Sequence, residues 1–199
     1  MNADEKSSRS GPLRMPHSER QITPDDDSEF ETLRLRCRRL RESDLDALHA
    51  VYSDPEVVRW VDDGQPISWE ESRHWLAVTQ ANYAVRGYGM FAIVARASGL
   101  IIGFCGLVHP DGQVLPEAKY ALAKRCWRRG LMSECLPALL DYGARVHGLP
   151  VIVATVFSDN LPSQRVALKS GMRLQHRARR PDGRGWHTFE WRATAGAPG

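Results

Sequence analysis

Apolar and charged residues alternate along Leu33-Arg34-Leu35-Arg36-Cys37-Arg38, which predicts a half-buried strand over 32–38. The period then lengthens. Leu45, Leu48 and Val51 recur at helical spacing behind Ser43, predicting a capped helix over 44–52 that Asp54-Pro55 interrupts, with another helical turn at 56–61. Gly64 and Pro66 mark a loop. Ser68, with Glu71 three residues on, forms a capping box that opens a second helix to about Val85, ended by Gly87 and Gly89.

Strand patterning returns at 90–96 and 100–109, joined as a hairpin by Ala97-Ser98-Gly99, and again at 118–123 after the Asp111-Gly112 turn. A helix over 130–146 places Leu131, Cys135, Ala138, Leu139, Tyr142 and Val146 on one face, with Pro137 inside it as a kink point. Val151-Ile152-Val153-Ala154-Thr155-Val156 is an unbroken, largely β-branched run, the pattern of a central strand covered on both faces. A helix over 161–169 ends at Gly171. Strands 173–178 and 186–192 close the chain as a hairpin across Pro181-Asp182-Gly183.

The predicted order is β-α-α-β-β-β-α-β-α-β-β. A helix between the fourth and fifth strands implies an α/β domain with one largely parallel pair, a mixed sheet flanked by helices. The chain of 199 residues suits one domain, placed at 29–193, with tails at 1–28 and 194–199. The first segment is rich in Ser, Pro, Asp and Arg and poor in aliphatic residues, so it reads as disordered.

Four cysteines (Cys37, Cys105, Cys126 and Cys135) show neither the close pairs of a zinc site nor a disulfide framework, and no metal is expected. No apolar run reads as a signal peptide or membrane span, so the expected location is cytoplasmic, away from membranes, with reduced thiols. The net charge is +3, and acidic residues outnumber basic ones in the first 29, leaving the domain more basic than the whole. That suits an anionic cofactor or partner. The arginines are scattered without a recognition motif, so nucleic acid is not the expected partner.

The stretch from Tyr120 to Glu134 carries the clearest chemistry. It reads as a short strand, a basic turn, Gly130 and an apolar-periodic helix. Backbone N–H groups at a helix start lack intrahelical partners and the helix dipole favours an anion there, so the arrangement suits phosphate. Asn160-Leu161-Pro162-Ser163 follows about one helix and one strand later.

With these motifs stand Leu33-Arg34-Leu35-Arg36, Arg41-Glu42-Ser43-Asp44, Ile102-Gly103-Phe104-Cys105-Gly106-Leu107, Trp127-Arg128-Arg129-Gly130-Leu131-Met132-Ser133-Glu134 and Leu168-Lys169-Ser170-Gly171-Met172. In this order and spacing they resemble the GNAT superfamily of acyl-CoA-dependent N-acyltransferases, within it the branch of ribosomal-protein N-terminal acetyltransferases. The resemblance spans about residues 31–192. It implies a GNAT-like sheet with helices on both faces, and direct transfer of acetyl from acetyl-CoA to a primary amine, either a protein N-terminus or a small molecule. A catalytically silent acyl-CoA-binding or regulatory module is the alternative. The chain is expected to act as a monomer or homodimer.

The resemblance further implies that Trp127, Arg128, Arg129, Gly130, Leu131, Met132 and Ser133 cradle the coenzyme A pyrophosphate, largely through backbone N–H groups. Tyr120 and Leu122 would hydrogen-bond the pantetheine arm and thioester through their strand. Asn160 would face pantetheine, and Ser163 would lie near the sulfur. Met132 stands where the family usually has Gly or Ala, a larger side chain beside the expected phosphate.

Acetyl transfer needs a deprotonated amine and a hydrogen-bond donor for the leaving thiolate. Ser163 is the expected acid. Glu117, at the start of the strand facing the thioester, is the expected base, with His109 as its rival. Trp60 and Trp69 would form an acceptor wall. Lys169 reads as a surface helix lysine, with the ribose phosphate as its alternative contact, and the arginines from Arg173 to Arg184 either attract an acidic acceptor or only solvate their hairpin.

Overall fold

The computed structural model describes residues 27–61, 64–179 and 183–194. Eight strands form one sheet: β1 (Ser28–Glu31), β2 (Leu35–Arg39), β3 (Met90–Ala95), β4 (Ile101–Val108), β5 (Glu117–Leu122), β6 (Val151–Phe157), β7 (Arg173–Arg179) and β8 (Gly185–Arg192). Their spatial order is β1-β2-β3-β4-β5-β6-β8-β7. Every neighbouring pair is antiparallel except β5 and β6. The connection between those two runs through α4 (Leu131–His147), and such a crossover is what a parallel pair requires.

One face of the sheet carries α1 (Leu45–Tyr52), α2 (Pro55–Val58) and α3 (Trp69–Arg86), whose apolar side chains meet Met90, Ala92, Phe104 and Ala121. The other carries α4 and α5 (Leu161–Lys169), packed on Leu35, Phe91, Ile93, Leu107, Ile152 and Phe189. Successive strand residues point to opposite faces, so each strand feeds both layers. The expected α/β architecture and its single parallel pair are therefore observed. Among the described residues no helix is long and apolar enough to cross a membrane.

The amino-terminal strand is shorter than its alternation predicts, because the chain turns back on itself. Leu33 is 87% exposed at the tip of a β1–β2 hairpin, where the Thr32 N–H donates to the Leu35 carbonyl at 2.9 Å. β1 begins where a tail was expected to end. Phe30 anchors it, edge-on to Phe91 at 5.9 Å and against Tyr142 at 5.2 Å. Asp44, rather than Ser43, holds the entry to α1. It accepts the Arg41 N–H at 2.8 Å and a two-pronged bond from the Arg38 guanidinium at 2.6 and 2.9 Å.

The α3 capping box forms as read, with Ser68 accepting the Glu71 N–H and Glu71 accepting the Ser68 N–H. Of the expected face of α4, Cys135, Leu139 and Tyr142 are buried; Met132, Leu136, Leu140 and Gly143 widen it, while Val146 is 59% exposed. Gly143 permits the close approach, since a Cβ there would stand 2.7 Å from Leu107 Cδ1. Pro137 does not break the helix. In β6 the expectation of cover on both faces fails at Thr155, which is exposed. The final hairpin forms from β7 and β8; Pro181 and Asp182 of its predicted turn lie outside the described residues, as do residues 1–26 and 195–199 of the predicted tails.

Candidate active site

Thr155 faces the side where the α1–α3 layer stops at β5, and beside it the sheet itself opens. The β5–β6 ladder consists of one pair, Glu117 with Val153, beside which the Val153 N–H donates to the Pro116 carbonyl at 2.9 Å. Beyond that point the strands part. On its other side β5 pairs with β4 along its whole length. The Ala123 N–H donates to the Ile102 carbonyl at 2.9 Å, so antiparallel alternation turns the backbone of Tyr120 and Leu122 toward the open seam.

The turn after β5 closes the same end of the seam. The Trp127 indole N–H donates to the Leu122 carbonyl at 2.7 Å, folding the turn back on the strand, while the ring packs between the two apolar layers. Arg128 and Gly130 both take left-handed backbone, with φ of 59° and 71°. For a non-glycine residue that conformation is uncommon and reflects the tightness of the turn. Such turns gather successive N–H groups into an anion-sized concavity.

α4 then begins at Gly130 with no capping side chain. Its first N–H groups thus meet the turn without the usual side-chain partner. Arg128 and Arg129 are exposed around it. Met132 points inward and is only 7% exposed.

A second layer of contacts braces this turn. Arg34, from the β1–β2 hairpin, donates to the Arg129 carbonyl at 3.0 Å and to Glu134 from both its backbone N–H and its Nε. Burial alone would lift the Glu134 carboxyl, but bonds from the Thr32 hydroxyl and from Arg34 outweigh it and hold it below its ordinary range.

Across the seam, Asn160 caps α5 by accepting the Ser163 N–H at 3.2 Å. The Ser163 Oγ lies 2.8 Å from the Tyr120 hydroxyl. Burial, opposed by the Ser163 bond, pushes the Tyr120 phenol up to about 12. Tyr120, Leu122, the 127–133 turn, Asn160 and Ser163 are thus brought together around one opening. The sequence reading left the phenol of Tyr120 without a role. Its signal was strand alternation, which sets the side chain on the α5 face.

Glu117 lies at the closed end of the seam and is 4% exposed, not the free carboxylate expected of a base. Its oxygens accept from the Lys119 ammonium at 3.0 Å, the Thr155 N–H at 3.3 Å and Gln113 Nε2 at 3.3 Å. His109 sits on the α4 side, away from the seam, with its ring nitrogens 2.9 Å from the Tyr88 hydroxyl and from the Gln113 carbonyl.

Of the two tryptophans, Trp60 lines a cavity of about 270 Å³ with Phe157, Ser158 and Asp159, and the Arg59 guanidinium stacks on its ring at 4.5 Å. Trp69 instead stands edge-on to His49 at 5.1 Å. Lys169 closes the far end of α5, and Arg173 begins the edge strand β7.

Three cysteines meet in the core under α4. The Sγ atoms of Cys37, Cys105 and Cys135 lie 3.9, 3.7 and 3.6 Å apart, all fully buried. Among the described residues this is the one grouping that offers a metal three ligand atoms, and soft ions favour such sulfurs. Burial pushes the Cys105 thiol well up, and thiolates in that apolar layer would lack compensating charge. The cluster was invisible to sequence spacing because β2, β4 and α4 each supply one member.

The chain matches the acetyltransferase (GNAT) domain family over residues 34–173. It is 31% identical over 148 residues to the uncharacterized N-acetyltransferase YoaA of Bacillus subtilis (strain 168), covering 73% of this chain and 83% of that one. An acetyltransferase structure from Agrobacterium tumefaciens str. C58 superposes with a TM-score of 0.71 at 26% identity, covering 82% and 94% of the two chains. The fold is shared with RimL, a ribosomal L7/L12 alpha-N-protein acetyltransferase solved in complex with coenzyme A, at a TM-score of 0.70 and 23% identity over 81% and 95%.

Proposed function

This chain belongs to the GNAT acetyltransferase family, and from that premise we propose that it carries acetyl from acetyl-CoA to a primary amine by direct attack. One observation carries the reading: β5 and β6 part after a single ladder pair, and the uncapped start of α4 stands at the mouth of the opening. The N–H groups of the 127–133 turn, with α4 behind them, would hold the pyrophosphate, aided by the exposed guanidinium groups of Arg128 and Arg129. The open backbone of Tyr120 and Leu122 would pair with the pantetheine arm as a missing strand would, with the Asn160 amide opposite. A backbone N–H on that strand would stabilise the charge developing on the thioester oxygen.

The acceptor enters from the face that carries Glu117 and the Trp60 cavity. We favour a peptide N-terminus, supported by the motif resemblance and by the fold shared with RimL, over a small amine. The engaged oxygens of Glu117 leave water to take the amine proton. Among the described residues, Arg59 and Arg184 line the cavity against a single acid, Asp159, a lining that disfavours a polycationic acceptor.

Thiol release from acetyl-CoA, measured against a panel of small amines and N-terminal peptides alongside calorimetric coenzyme binding, tests the proposal. Release that depends on one amine class establishes transfer and names the acceptor. Binding without release for every amine would instead identify a silent acyl-CoA-binding module. Absence of binding would remove the phosphate site and the activity together.

A further inference from the structure

Ser163 is held by two elements at once. Its N–H donates to Asn160 Oδ1 at 3.2 Å, fixing the first turn of α5, and its Oγ meets the Tyr120 hydroxyl of β5 at 2.8 Å. The single phenol proton of Tyr120 has two acceptors in reach, Ser163 Oγ at 2.8 Å and the Ser163 carbonyl at 3.4 Å, and the shorter contact is the stronger bond. A serine hydroxyl has one proton and can also accept. When a neighbour donates to its oxygen, the serine proton is free to point elsewhere. Burial pushes the Tyr120 phenol up to about 12, so it stays a donor throughout the neutral range. Its ring packs on the α4–α5 layer while its backbone borders the open seam, so one residue touches both the acid and the cleft.

We infer that Tyr120 is a positioning residue for acetyl transfer, donating to Ser163 Oγ so that the Ser163 O–H points at the leaving sulfur. The inference rests on the activity proposed above. In the step, the amine lone pair forms a bond to the thioester carbonyl carbon, and the carbon–sulfur bond breaks with its electron pair going to sulfur. The Ser163 O–H hydrogen-bonds that thiolate. The nitrogen sheds its proton to water, and the thiolate takes one from water, so both hydroxyls end as they began. Donors arranged in series polarise one another, which strengthens the last bond of the chain.

Tyr120→Phe removes the donor and keeps both ring and backbone. It is expected to lower kcat about tenfold, the worth of one hydrogen bond, with KM for acetyl-CoA and the calorimetric affinity within about twofold of the unsubstituted chain. Ser163→Ala should fall at least as far, and the double variant no further than Ser163→Ala. A cycle of denaturant unfolding on the same four proteins without coenzyme should show non-additive losses, as for any directly bonded pair.

Unchanged kcat in Tyr120→Phe, multiplicative losses in the double variant, or additive unfolding losses would each overturn the inference while leaving the activity standing. An unsubstituted chain that releases no thiol with any amine removes the activity and this inference together.

Discussion

The Thr155 N–H meets the Glu117 carboxylate at 3.3 Å, two residues beyond the point where the β5–β6 ladder ends. A side chain thus extends the pairing that backbones have abandoned, and Lys119 and Gln113 occupy two more of its roughly four acceptor positions. The carboxylate acts as a clasp across the strands. Glu117→Gln should keep kcat within about threefold, while Glu117→Ala should lose about 1–3 kcal/mol of stability by leaving buried donors unpaired. Denaturant unfolding and thiol release check the two halves. A loss beyond about a hundredfold in kcat at unchanged stability would restore Glu117 as the base.

On the proposed function, Gly130 shapes the phosphate turn while Met132, two residues on, packs in the core. Gly130→Ala forces a Cβ into left-handed backbone, at a cost of about 1–2 kcal/mol, and should raise the acetyl-CoA Kd through distortion of the turn. Met132→Ala should instead cost about 2–5 kcal/mol in unfolding experiments and leave coenzyme affinity nearly unchanged, because its side chain lies in the core. Tighter binding in Met132→Ala would show that the side chain does crowd the phosphate.

The Arg38–Asp44 pair predicts a pH dependence with a definite sign. Burial raises the Asp44 carboxyl, but the Arg38 guanidinium and the Arg41 N–H outweigh it, and the net shift is downward. The folded value lies below the unfolded one, so the stabilisation is complete above the usual carboxylate range near about 4 and is lost as pH falls through the folded value. Asp44→Asn leaves Arg38 largely buried and unpaired, at a cost of about 3–5 kcal/mol near neutrality. The gap between this variant and the unsubstituted chain should narrow in acid. A gap that stays constant from pH 7 to pH 3 would remove the linkage.

All four cysteines are free and buried. A thiol reagent added to the native protein should therefore label none of them rapidly and all four after denaturation. Prompt native labelling would mean the layer under α4 opens readily, and protection that a soft-metal chelator abolishes would mean the sulfur triangle holds an ion.

Local signals made much of the architecture legible. Ser68 and Glu71 mark the start of α3, Asn160 and Gly171 bracket α5, and the helix between 130 and 146 forces the one parallel pair. What failed depends on distance in sequence. β1 is four residues long and polar apart from Phe30, so only its contacts with Phe91 and Tyr142 reveal it. The buried face of α4 is wider than its periodicity suggests because Gly143 lets the helix close on Leu107 and Ile152. Tyr120, Gly130 and Asn160, proposed for the cofactor side, sit in contiguous motifs, which is why the sequence alone nominates them. The engaged state of His109 and the bond between Tyr120 and Ser163 arise from pairings 21 and 43 residues apart, beyond any local pattern.

The sheet is built as two panels, five strands from β1 to β5 and three from β6 to β7, with one ladder pair as the stitch between them. α4 packs across both, with Gly143 against Leu107 of β4 and Ile152 of β6, so the core beneath the gap joins the panels where the backbone ladder does not. The backbone amides of Tyr120 and Leu122, which alternation turns toward the gap, should exchange with solvent sooner than those a strand away, and whatever fills the gap becomes a structural member of the sheet, slowing that exchange.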